Sequence, residues 1–306
     1  MVLRKWVKLT FQIEKNFEDL IVWKLTELKI VSFAFYLVKN KKDVLNVEIW
    51  FLDSKCSNHF KVRFERIFKK LLEENHHKQP QFYWEIINED WLDGWKKFWR
   101  PEQIGNNFLV VPSWMDQPKG LEDKKVIKID PGAAFGTGSH PTTFLCLKEM
   151  ENIQIQNNKV LDIGCGSGIL TIAAKILGGK QLYAIDDDYL AINSTKENIK
   201  LNFNEYLDIN LYESSFQEFF LNKSGKDFDL IVCNILADVI SLIIPGISNL
   251  LKIDGNLILS GILSSQQRDI LKILNSNNLL VDNISSEKDW VCIKATKKII
   301  SSAKTI

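Results

Sequence analysis

The residues best equipped for chemistry lie in VLDIGCGSGIL, residues 160–170. An apolar run carries Asp162 near its end, and Gly164, Gly166 and Gly168 follow at alternate positions before a second apolar, helix-like stretch. Glycines in such a turn let a ligand approach the backbone without meeting a Cβ. A dinucleotide-binding turn uses the spacing G-x-G-x-x-G and sets a pyrophosphate on the helix N-terminus. Here Ile169 occupies the place of that third glycine, and an acidic residue precedes the turn. A carboxylate is a poor neighbour for pyrophosphate and a good one for a cation. The turn therefore favours a ligand bearing positive charge and disfavours a nicotinamide oxidoreductase.

Three further places suit such a site. Asp186 closes the next strand-like run, LYAID, 22 residues after Gly164. Open α/β sheets bind ligands at the carboxyl ends of their strands, and a carboxylate there can accept two ribose hydroxyls at once. The competing reading makes Asp186 a solvated charge at the start of the next helix, the role assigned to Asp187 and Asp188. Asn234 ends the run FDLIVCN, and an amide at the tip of a buried strand is costly unless something bonds to it. The segment DPGAAFGTGSHPTT, from Asp130 to Thr143, joins strand-like VIKID to helix-like FLCLKEM. Its glycines allow the backbone to wrap a ligand, and Thr142 and Thr143 are read as caps of the following helix with hydroxyls toward the site. A tight loop with ordinary caps is the alternative. A histidine ordinarily titrates in the range useful for a base, which makes His140 a candidate, and gating or hydrogen bonding is the competing role.

The pattern D-x-G-x-G-x-G from Asp162 to Gly168 resembles the cofactor loop of class I methyltransferases, whose ligand S-adenosylmethionine carries a sulfonium and an ammonium group. Together, DPGAAFGTGSHPTT, LDIGCGSGIL, AIDDD, CNILA, GNLILSGILSSQ and the aromatic WKKFWRP resemble the bacterial ribosomal protein L11 methyltransferase family over roughly residues 90–306. The resemblance implies a Rossmann-like class I methyltransferase domain that uses S-adenosylmethionine. It implies methylation of large-subunit ribosomal protein L11 at lysine side chains and the N-terminal α-amine. It also assigns cofactor binding to Thr143, Gly164, Asp186 and Asn234. In methyltransferases that modify nitrogen, the position of Asn234 is often followed by Pro-Pro-aromatic; here Ile235, Leu236 and Ala237 follow. That departure argues against a nucleobase or glutamine acceptor, which would use an aromatic stacking partner. The acceptor amine must arrive neutral, and a free lysine has a pKa near ~10.4 against about 7.7–8 for an α-amine. Asn234 and the adjacent backbone carbonyl are expected to orient the lone pair with no dedicated base, His140 being the candidate if one is needed.

The elements that position these residues follow from periodicity. From about residue 108, strand-like and helix-like stretches alternate, which predicts a doubly wound, mostly parallel sheet. The front third reads strand, helix, strand, strand, helix, strand: WVKLTFQI, NFEDLIVWKLTELK with Asn16 as its cap, SFAFYLV, NVEIWFL, HFKVRFERIFKKLLEE and FYWEIINE. That order is the split pattern of an α+β, ferredoxin-like sandwich. His76 and His77 follow the second helix and are expected to be exposed rather than metal ligands. In DWLDGWKKFWRP, Trp91, Trp95, Phe98 and Trp99 share one helical face, with Asp90 as cap and Pro101 as stop. The expected organisation is a substrate-recognition domain over 1–88, a Trp-rich linker over 89–112 and a methyltransferase domain over 113–306.

Composition supports two domains and excludes several classes. Residues 1–100 carry 19 Lys+Arg against 14 Asp+Glu, whereas the remainder is acidic overall. Eight of the nine tryptophans lie within the first 114 residues, a second asymmetry between the halves. A whole-chain net charge of +1 argues against a polybasic nucleic-acid binder. The five cysteines show neither C-x-x-C nor metal-ligand spacing, so no disulfide framework or metal site is expected. The N-terminus lacks a signal-peptide core, and VISLIIPGISNLL is too short to span a bilayer, so a soluble cytoplasmic enzyme is expected. Methylation of RNA or a small amine, and a non-catalytic cofactor-binding scaffold, remain as alternatives.

Overall fold

The computed structural model describes residues 6–28, 30, 33–38, 41, 43–53, 56–87, 99–130, 140–203, 209–222 and 227–299. The chain divides into two compact units, Met1–Trp99 and Arg100–Ile306. Trp91, Trp95 and Phe98 of the aromatic stripe, its cap Asp90 and residues 131–139 of the loop before His140 lie outside the described residues.

The first unit contains β1 (Trp6–Glu14), α1 (Glu18–Glu27), β2 (Phe33–Leu37), β3 (Val44–Leu52), α2 (Asn58–Glu74) and β4 (Tyr83–Ile87). Its four strands pair antiparallel in the order β2-β3-β1-β4, the ferredoxin-like arrangement expected from the element order. Alternation along β1 sends Leu9, Phe11 and Ile13 to one face, and all three are buried. There they meet the apolar side of α2, where Phe64, Phe68 and Leu72 recur at helical spacing. Ser57 starts α2 by accepting a hydrogen bond from the Phe60 N–H at 3.2 Å. The start of α1 differs from expectation. A single 3-10 turn, Lys15–Phe17, leads into it, and the residue at the cap position is Phe17, with no side-chain cap. Asn16 lies inside that turn, which the Lys15 N–H anchors to the Asp43 carbonyl at 2.9 Å. His77 is half-buried rather than exposed: its Nε2 accepts from the Glu14 N–H at 3.1 Å, and its ring meets Phe17 edge-on.

The second unit opens with β5 (Glu102–Ile104), β6 (Phe108–Pro112) and β7 (Lys125–Ile129), a small sheet in that order. The strand-like pattern expected from about residue 108 begins with β6, and residues 102–104, placed in the connection, form the short β5. The β5–β6 hairpin is fastened by Glu151, whose carboxylate accepts from the N–H groups of Asn106, Asn107 and Phe108. Then follow α3 (Pro141–Glu151), β8 (Lys159–Ile163), α4 (Ile169–Ile176), β9 (Gln181–Asp186), α5 (Tyr189–Asn202), β10 (Ile209–Glu213), α6 (Phe216–Asn222), β11 (Phe228–Asn234), α7 (Ala237–Leu250), β12 (Leu251–Leu263), α8 (Gln267–Ser276), β13 (Leu279–Glu287) and β14 (Trp290–Lys297). Seven of these strands form one sheet in the order β10-β9-β8-β11-β12-β14-β13. All pairs from β10 to β12 are parallel, and β14 lies antiparallel between β12 and β13. Helices cover both faces, which explains why β8 and β11 are apolar almost throughout instead of alternating.

Within its parallel part this order reverses once. From β8 the chain moves outward through β9 to β10, then returns to place β11 on the other side of β8. Ligand sites of open sheets form at such a reversal, beyond the carboxyl ends of the strands. Ile163 and Cys233 are register partners there, so Gly164 and Asn234 leave the sheet side by side. Among the described residues, no helix is long and apolar enough to cross a membrane.

Candidate functional site

The glycine turn follows β8 directly. Gly164, Gly166 and Gly168 all have positive φ, at 73°, 56° and 81°. The Ile185 carbonyl accepts from both Gly164 N–H and Cys165 N–H, at 2.9 and 3.1 Å, which docks the turn on the end of β9. Gly164 is also confined sterically, since a Cβ there would stand 2.3 Å from Ile235 Cγ2. Ile235 is held from another side by Gly261 of β12, where a Cβ would lie 2.0 Å from the Ile235 carbonyl oxygen. Close packing of the segment after Asn234 thus depends on two glycines far apart in sequence.

Asp186 stands at the carboxyl end of β9, as its place in LYAID implied. Its Oδ2 accepts from Gly166 N–H and its Oδ1 from Asp188 N–H, each at 3.0 Å. The carboxylate is therefore oriented, and each oxygen keeps a lone pair for a ligand hydroxyl. Asp188 caps α5 by accepting from the Leu190 N–H at 2.9 Å. Asp162 is only 2% exposed. Thr171 Oγ1 donates to its Oδ2 at 2.6 Å, while Oδ1 is buried with no hydrogen-bond partner among the described residues.

Asn234 and α3 form the other part of the site. Asn234 Nδ2 donates to Thr143 Oγ1 at 3.4 Å, and its Oδ1 is buried with no partner among the described residues. The capping of α3 corrects the sequence reading. His140 is the cap, its Nδ1 accepting from the Thr142 N–H at 3.3 Å and lying 2.7 Å from Thr142 Oγ1. Pro141 takes the first helical position, which suits its missing N–H. Thr142 and Thr143 consequently sit within the first turn, both buried. Because Nδ1 accepts a backbone N–H, the neutral ring carries its proton on Nε2. Burial, with the nearby Lys288 cation adding to it, lowers the His140 pKa to about 4.

The structure thus brings Asp162, Gly164, Gly166 and Asp186 together at the ends of β8 and β9, and Thr143 together with Asn234 at the end of β11. The sequence reading passed over α5. Thr195 Oγ1 donates to the Gly166 carbonyl at 3.0 Å, and Asn198 Nδ2 donates to the Ser167 carbonyl at 2.9 Å. Their spacing in AINSTKENIKLN was the available signal, a polar residue on the side of a helix that ought to be apolar. Among the described residues, no group of His, Cys, Asp and Glu could hold a metal ion.

Comparisons with known proteins agree with this architecture. The family model of ribosomal protein L11 methyltransferase (PrmA) matches residues 5–298. A ribosomal protein L11 methyltransferase of Prochlorococcus marinus (strain MIT 9515) is 50% identical over 300 residues, covering 98% of this chain and 100% of the relative. Another, from Synechococcus elongatus, is 33% identical over 291 residues, covering 94% and 96%. The crystal structure of a ribosomal protein L11 methylase from Lactobacillus delbrueckii subsp. bulgaricus matches with a TM-score of 0.60 and 34% identity, over 66% of this chain and all (100%) of that one.

Asp162 makes the unliganded protein sensitive to pH. Burial raises its pKa to about 7; hydrogen bonds from Thr171 oppose the rise, and the charge of Asp186 adds to it. An acid whose folded pKa exceeds its unfolded value favours the folded state at low pH, and that contribution is lost as pH rises from about 4 through 7. His140 has the opposite dependence, its contribution being lost as pH falls from about 6.5 toward 4. Asp162→Asn keeps the shape and removes the acid. Thermal unfolding without ligand should find the variant more stable than the parent at pH 8, with the gap closing toward pH 5. An equal gap at both pH values would contradict the buried-acid assignment.

Proposed function

The chain belongs to the ribosomal protein L11 methyltransferase family, and on that premise we propose that it transfers methyl groups from S-adenosylmethionine to amino groups of large-subunit ribosomal protein L11, at lysine side chains and the N-terminal α-amine. The observation that carries this reading is the buried Asn234 Oδ1, which has no donor among the described residues and stands beside the glycine turn at the sheet's reversal point. A buried amide oxygen left in that state costs about 1–3 kcal/mol. An incoming amine N–H would satisfy it.

The residues fit the cofactor as well. Asp162 Oδ1 is a second buried acceptor without a donor among the described residues, suited to a cationic ligand. Asp186 keeps an oriented carboxylate for ribose hydroxyls. Thr143, Asp162, Gly164, Gly166, Gly168, Asp186 and Asn234 are the residues assigned to hold the ligand. S-adenosylmethionine, when bound, supplies an electrophilic methyl carbon on a positively charged sulfur.

The protein's share of the chemistry is then positioning. In-line transfer between held groups gains most from orientation, and a misplacement of about 1 Å can cost roughly 10²-fold in rate. Asn234 Oδ1 accepts from the amine and leaves the nitrogen lone pair free to react. The amine sheds its proton before reaction, helped by desolvation and by positive charge nearby, both of which lower a lysine pKa. His140 is poorly suited to serve as base: its pKa is lowered to about 4, and its Nδ1 is committed to the start of α3. With Asn234 as the main polar contact, the amine is free to rotate between successive methylations. Residues 1–88 are assigned to holding the protein substrate. A ribosomal substrate also fits a cytoplasmic enzyme.

Tritiated methyl transfer to ribosomal proteins from a strain lacking this gene tests the reading. One labelled protein running as L11 is expected, with the rate falling by about 10²-fold in Asn234→Ala. Removal of residues 1–88 should abolish that label while cofactor binding persists; retained labelling of L11 would refute the substrate role of this unit. Labelled RNA or a labelled small amine, with no labelled protein, would overturn the choice of acceptor. His140→Ala should leave the shape of the pH–rate profile unchanged, whereas loss of its acid limb would make His140 the base.

A further inference from the structure

The buried side of α5 is polar where a helix packed on a sheet is ordinarily apolar. Asn198 is 1% exposed, in mid-helix, where its type is intrinsically unfavourable and its amide must be bonded to be tolerated. Its Oδ1 accepts from the Asp130 N–H at 2.8 Å, and its Nδ2 donates to the Asp130 carbonyl at 3.0 Å. The same nitrogen donates to the Ser167 carbonyl at 2.9 Å. One side chain therefore mimics a neighbouring strand for the residue that follows β7 and also grips the glycine turn. From Asp130 the chain runs on to His140 and Thr143. One helical turn further along, Asn202 makes the matching pair of bonds with Lys128, at 2.8 and 2.7 Å, but its remaining bond is to the Asn198 carbonyl of its own helix.

These bonds orient the turn. Thr195 and Asn198 hold the Gly166 and Ser167 carbonyls on one side of the turn, while the Gly166 N–H donates to Asp186 on the other. We infer that Asn198 is a positioning residue for the methyl-transfer reaction, tying the glycine turn to the backbone of Asp130 so that the cofactor-holding glycines of the turn keep one geometry. Loss of this amide removes one hold on the Ser167 carbonyl and two on the backbone of Asp130, without removing any group assigned to the ligand. The inference rests on the reading of the turn as the cofactor site.

Asn202→Ala is the internal control, since it removes a like pair of bonds between the same helix and β7 but none from the turn. In the full-length protein, Asn198→Ala and Asn202→Ala should lower the thermal midpoint by similar amounts. Calorimetry should show S-adenosylmethionine binding at least tenfold weaker in Asn198→Ala and within twofold of the parent in Asn202→Ala. If Asn198→Ala does not fold, Asn198→Ser is read by the same comparison. Equal affinities in the two variants, or losses of affinity that track the fall in midpoint alike, would overturn the inference while leaving the cofactor reading intact. A parent protein that binds no S-adenosylmethionine would overturn both.

Discussion

Two oxygen atoms, Oδ1 of Asp162 and Oδ1 of Asn234, are buried at the ends of neighbouring strands without a donor among the described residues. In a folded chain of marginal stability each such atom is a burden of about 1–3 kcal/mol. Both lie where β8 and β11 part company, at the reversal of a parallel sheet, so the cost is concentrated where a ligand would relieve it. The large apolar layers on both faces of the sheet, from Leu161 and Ile231 on one side to Val160 and Val232 on the other, supply the stability against which that cost is carried.

Around these oxygens, the fold is devoted to limiting freedom. The glycine turn is docked on β9 through the Ile185 carbonyl, gripped from behind by α5, and closed over by Ile235, which itself requires Gly261. Asn234 is held through Thr143, and α3 is started by a histidine that is kept neutral by burial. Such an arrangement suits a displacement reaction in which the electrophile arrives already activated and the enzyme has only to align it. Such a reaction needs no strong base, because an amine has only to lose its extra proton before it reacts.

Much of this was legible before the fold was known, for reasons that can be named. The glycine turn, Asp186 and Asn234 are each punctuated by a strand ending, and a change from apolar run to polar residue is the strongest signal that sequence carries. The ferredoxin-like order of the first unit was equally readable because its strands and helices have clean periods. The misses share a different cause. Asn198 and Asn202 break the apolar side of α5, a signal that names no role by itself, since their backbone partners in and after β7 lie more than sixty residues away. The cap of α3 passed from the threonines to His140 because Pro141 prefers the first helical position, which puts the cap one residue earlier. Residues 102–104 looked like connection because a three-residue strand such as β5 has too little period to detect.

A cationic nucleoside cofactor is proposed to bind at the reversal between β8 and β11, oriented through Asp186. Calorimetric titration of S-adenosylmethionine into the full-length chain and into Asp186→Ala tests it most directly. One-to-one binding by the parent is expected, with at least tenfold weaker binding by the variant, which lacks the carboxylate that accepts from Gly166 and is proposed to accept the ribose. Binding of equal strength in both proteins would contradict it.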